Sequence, residues 1–115
     1  MADTATTTGL DDAHGLRVET VADGPVLRVA LYGECDVATV SDLDRALQRI
    51  ELFGSRQVHL DLSHLGFADV ATIRRLATFA GDAKRAGQDV ATCGVHPVLQ
   101  KVAHLLQVHG ELGLG

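Results

Sequence analysis

An α/β fold with a partly parallel sheet is predicted by three observations. Segments that alternate apolar and polar residues take turns with segments whose apolar residues recur at i, i+3, i+4 and i+7. Two of the helical segments lie between strands, and crossovers of that kind make the strands they join parallel, with the helices packed on the sheet. No linker divides the 115 residues, a length that buries one core without staples.

Residues 1–15 are polar and low in complexity, reading TATTTG in the middle, and are expected to be a disordered tail before a domain over 16–115. Leu16 to Ala22 and Pro25 to Tyr32 read as a hairpin joined at Asp23-Gly24, where a tight turn needs the positive φ that glycine supplies. The second strand is mostly apolar (Val26, Leu27, Val29, Leu31), as a central strand is, and is expected to break at Gly33-Glu34-Cys35-Asp36. Ser41 then fits a helix N-cap, with Asp44 three residues on in a capping-box arrangement. Leu43, Ala46, Leu47 and Ile50 make the apolar stripe of that helix, which is expected to stop at Gly54.

Val58, Leu60 and Leu62 alternate with His59 and Asp61, a strand signature, and a short turn leads from this strand to Asp69. From Val70 to Arg85 a second helix carries Ile73, Leu76, Ala77, Ala80 and Ala83 on one face and ends at Gly87. Gly81 inside it costs about 1 kcal/mol relative to alanine. Asp89 to Val95 is the next strand, and Pro97 suits the first turn of a third helix whose buried face is expected to be Val98, Val102, Leu105 and Leu106. Residues 110–115 hold at most a very short last strand. The order is β-β-α-β-α-β-α.

Composition narrows the function. The chain is 46% hydrophobic and 22% charged, as a globular domain is. With three Phe, one Tyr and no Trp, its core is aliphatic. A net charge of −5 and scattered basic residues argue against nucleic acid or an anionic membrane. No apolar run approaches membrane-spanning length, and residues 1–14 lack the basic start and apolar run of a signal peptide. A cytoplasmic protein is expected. Two cysteines make no disulfide framework; Cys93 in an apolar strand reads as buried, Cys35 as accessible.

The tetrapeptide Asp-Val-Ala-Thr occurs at Asp36, Asp69 and Asp89. The elements around the third copy differ from the others, so this is no structural repeat. His59 and His64, like His104 and His109, are five apart, not the i, i+4 pairing of a helical zinc site. No phosphate loop, nucleophile elbow or carboxylate pair is present, and the neighbours Ser63 and His64 point to opposite faces of a strand. No metal, cofactor or catalytic residue is expected.

The strand ending Gly33-Glu34-Cys35-Asp36, the block LDLSHLGFAD and the late VATCGVHP form an ordered set. It resembles the STAS family, typified by bacterial anti-sigma factor antagonists, over about residues 16–110. The resemblance implies a four- to five-stranded mixed sheet with helices packed on one side. It also implies a binding module whose first serine after the motif aspartate is phosphorylated by an anti-sigma factor that doubles as a kinase. Here Asp69 matches the aspartate, but Val70 stands at the acceptor position, Ala71 replaces the next serine and Thr72 the glycine. Valine accepts no phosphoryl group.

The side chains around this point divide between local and functional roles. Asp69 reads first as an N-cap accepting the amide of Ala71 or Thr72. Thr72 is the nearest hydroxyl that could substitute as acceptor; a solvated first-turn threonine is the simpler reading. Thr39 and Ser41 rank below it. Glu34 and Asp36 match the acidic loop that the family sets beside the phosphorylation site, and Arg74 and Arg75 lie on the polar side of the second helix. The expected partner is an anti-sigma factor or related kinase-like regulator, met through Glu34, Asp36, Asp69, Val70, Ala71, Thr72 and Arg74. Other roles are a subunit of a membrane transport complex that docks on an ATPase, or a sensor of a nucleotide or lipid. Homodimerisation through a sheet edge is a further option.

Overall fold

The computed structural model describes residues 4–8, 15–36, 38–50 and 56–114. Five strands form one mixed sheet in the order β1-β2-β3-β4-β5: β1 (Thr4–Thr8), β2 (Leu16–Asp23), β3 (Val26–Cys35), β4 (Gln57–Ala68) and β5 (Asp89–Cys93). Three helices interrupt them: α1 (Val40–Gln48), α2 (Val70–Arg85) and α3 (Pro97–Leu105). β1, β2 and β3 pair antiparallel, whereas β3, β4 and β5 pair parallel through the crossovers of α1 and α2.

Strand alternation decides which face is covered. Leu16 and Val18 of β2, Leu27, Val29 and Leu31 of β3, and Val58, Leu60 and Leu62 of β4 are buried. They meet Leu43, Ala46 and Leu47 of α1 and Ile73, Leu76, Ala77, Ala80 and Ala83 of α2. The opposite face is polar. On it the Arg17 guanidinium lies 4.5 Å from the Tyr32 ring centre, and the His64 ring stacks on Tyr32 at 4.7 Å. A sheet covered on one side needs this period of two.

Several expectations are corrected. Thr4–Thr8, within the expected tail, is an edge strand on β2; the rest of that segment lies outside the described residues. β3 does not break at Gly33 but continues to Cys35. Gly33, at φ 101, allows this because a Cβ there would stand 2.0 Å from the Gly15 carbonyl oxygen. That same carbonyl accepts the Glu34 amide at 2.7 Å. No turn separates β4 from α2: the strand runs to Ala68 through two register shifts against β3. Such bulges let a strand bend and re-aim its side chains.

The helices also depart in detail. α1 begins at Val40 with Thr39 as N-cap, so Ser41 is inside the helix, and Asp44 pairs with Arg75 across to α2. Its expected stop at Gly54 lies outside the described residues. In α3 the buried face is not that expected: Val98 is 73% and Leu105 76% exposed, while Ala103 is buried. Leu99, Val102 and Leu106 pack partly against the core, so the stripe is 99, 102, 103, 106. No last strand forms among the described residues; the C-terminal segment turns over α2 and β5 and buries Leu112. No helix is long and apolar enough to cross a membrane among the described residues.

Candidate functional site

The carboxyl ends of β3 and β4 lie side by side, with Glu34 opposite Phe67 and Cys35 opposite Ala68. From there one chain turns into α1 and the other into α2. Ligand and partner sites of open α/β sheets gather at such strand ends.

The β4–α2 junction is tightly held. Asp69 is extended, at φ −90 and ψ −178, and its Oδ1 accepts the Thr72 amide at 2.9 Å, so the N-cap role read from the sequence is present. Thr72 Oγ1 stands 2.8 Å from Asp69 Oδ1 and 3.1 Å from the Cys35 carbonyl oxygen. That carbonyl also accepts the Asp69 amide at 3.3 Å. Thr72 is therefore fully buried, not the solvated first-turn threonine that the sequence suggests. The burial follows from its place in the first turn, one residue before core Ile73.

The β3–α1 turn is built from the first Asp-Val-Ala-Thr copy in a related way. Asp36 Oδ1 accepts the Ala38 amide at 2.9 Å, and Thr39 Oγ1 accepts the Asp36 amide at 3.0 Å. Both copies thus use a carboxylate and a hydroxyl three residues apart to fix a corner, while the third lies in β5.

What faces outward is mixed. Val70, the first residue of α2, is 47% exposed, Phe67 is 50% exposed, and Glu34, Ala71 and Arg74 are exposed beside them. Arg74 lies one turn along α2 from Val70. Arg75 is spent on the ion pair to Asp44. The corner thus exposes two apolar side chains, a carboxylate and a guanidinium. Phe67 was missed in the sequence, where an aromatic residue near a strand end reads as core; only the bulged register turns it out.

The two cysteines exchange roles. Cys35 is buried on the helix side of β3, and Cys93 is exposed. Burial pushes the Cys35 thiol above its usual range, against hydrogen bonding from Thr72 and Thr39. Cys93 lies opposite Asp61 and Cys35 opposite Ala68 on β4, about 23 Å apart along that strand at ordinary rise. That separation precludes a disulfide. Ser63 bonds to Asp61, and His64 stacks on Tyr32, so they make no nucleophile–base pair. The Ser63 hydroxyl and amide hold the Asp61 carboxyl below the usual range. No group of three or more metal-ligating side chains converges among the described residues.

Comparison with known proteins agrees with this fold. A family model described as "Mlab, STAS domain" matches residues 18–114. An anti-sigma-B factor antagonist of Staphylococcus epidermidis is 26% identical over 95 residues, covering 83% of this chain and 85% of that protein. The same match recurs in that species' strain ATCC 12228. The crystal structure of an anti-sigma factor antagonist from Mycobacterium paratuberculosis superposes with a TM-score of 0.75 at 18% identity, covering 91% of this chain and 89% of that one.

Proposed function

The chain belongs to the STAS domain family, and from this we propose that it is an anti-sigma factor antagonist whose serine phosphorylation switch is absent. It is read as a binding module, not an enzyme. The single observation that carries the proposal is the β4–α2 junction, where Val70 takes the first position of α2, capped by Asp69 and half in solvent. Phosphorylation at a helix start would add a dianion and bulk to whatever surface a partner touches there. A valine offers no oxygen for it, and Thr72 is buried, so the contact is constitutive or governed through the partner. Glu34, Phe67, Val70, Ala71 and Arg74 are the residues proposed to meet that partner.

A pull-down from the native bacterium with identification of captured proteins tests the proposal. Recovery of an anti-sigma factor or related kinase is the expected result. Recovery of a transporter ATPase instead would replace this reading with the transport-complex one.

A further inference from the structure

The interior glycine of α2 has no part in the corner at Asp69, yet it sits beneath a groove. Arg74, Thr78, Gly81 and Arg85 recur at i, i+4, i+7 and i+11, one line along the helix. With Ala77 and with Val108 and Glu111 of the C-terminal segment they line an open groove of about 290 Å³. A glycine inside a helix is unfavourable relative to alanine, so Gly81 needs a reason. Packing gives none: a Cβ there would meet nothing nearer than Arg85 Nη1 at 3.5 Å and Glu111 Cγ at 3.8 Å, ordinary contacts. Where that methyl would stand, the Arg85 guanidinium folds back over the helix beside the Glu111 side chain.

The charges at its two ends are alike. The Arg74 guanidinium has no carboxylate partner among the described residues. Among the described residues Arg85 pairs with Asp82 of its own helix, with both side chains more than half exposed, and such pairs yield readily to competitors. Lys84 beside it donates to the Gly110 carbonyl, and Glu111 is the one carboxylate in the lining. On a chain of net charge −5, this is a line with a guanidinium over Gly81, a second at Arg74 and the small residues Ala77 and Thr78 between them.

The geometry points to a docking groove for an acidic peptide segment laid along α2, with one carboxylate at Arg74 and another at Arg85. The arginine Cα atoms are about 16 Å apart at helical rise. An extended peptide spans about 13–14 Å over four residues, and the arginine side chains cover the remainder. An open groove along a helix suits an extended chain, whereas small-molecule sites enclose most of their ligand. The groove shares Arg74 with the Asp69 corner and runs away from it along α2 to Arg85, and the inference holds whether or not the partner is an anti-sigma factor.

Fluorescence anisotropy on the full chain tests this, using a labelled pentapeptide with glutamate at both ends and glycine between. The expected result is saturable binding that weakens as salt rises. Arg74→Gln and Arg85→Gln each lose affinity about threefold or more, and Glu111→Gln gains. Gly81→Ala loses affinity although it melts about 4 °C higher, which separates a groove from a merely structural glycine. No saturable binding overturns the inference. So does equal binding by wild type, Gly81→Ala and the arginine variants, or equal binding of the peptide with glutamine at both ends.

Discussion

Val70 carries the functional argument at the residue scale because its side chain is half in solvent while its backbone is fixed by the Asp69 cap. Substitution there changes a contact and leaves the fold intact. Val70→Asp is expected to weaken partner binding tenfold or more in a calorimetric titration, roughly the cost of a buried unpaired charge, with an unchanged melting temperature. Asp69→Ala behaves the other way: it removes the cap of α2 and one partner of the Thr72 hydroxyl. A loss of about 1–2 kcal/mol in denaturant unfolding is expected. The thiols give a third test. Cys93 is expected to react with a thiol reagent at once and Cys35 only on unfolding, since Cys35 is buried and its thiol is raised. A raised thiol stabilises the fold below its unfolded value of 9.0. Stability from Cys35 is therefore lost as pH rises above about 9, towards the higher folded value.

At the scale of elements, sequence periodicity located every helix but not every face. α2 was legible end to end, because its stripe of Ile73, Leu76, Ala77, Ala80 and Ala83 is long and closes at Gly87. α3 is short, and two stripes fit it almost equally well. The large residues Val98 and Leu105 draw attention from Ala103, which is small enough to approach the sheet closely. Leu105→Glu is thus expected to change stability by under about 0.5 kcal/mol, whereas Ala103→Glu buries a charge and costs at least about 3 kcal/mol; chemical denaturation checks both. In β3 the odd-numbered alternation of Leu27, Val29 and Leu31 passes through Gly33 to Cys35. Ending the strand at Tyr32 hid this, which is why the burial of Cys35 was missed. Phe67 was beyond reach of pattern altogether, since two register shifts on β4 depend on the neighbouring strand.

For the whole molecule, a sheet covered on one face and polar on the other sets the candidate contact at the ends of its parallel strands. β3 and β4 end together, and their helices start from that rim. The enclosed apolar space beneath α3, lined by Leu62, Leu76, Leu99 and Leu112, is only about 10 Å³, near the least that holds one water. Motif residues made the fold and the Asp69–Thr72 junction readable from sequence. The burial of Thr72 and the exposure of Phe67 were not readable, because both depend on long-range pairing.

The most direct measurement is to incubate this chain and the anti-sigma kinase proposed as its partner with ATP, following bound phosphate by mass spectrometry and the complex by size-exclusion chromatography. The account predicts that the wild-type chain gains no phosphate and the complex persists, whereas Val70→Ser gains one phosphate and the complex separates. Phosphate on the wild-type chain, accompanied by dissociation, would contradict it.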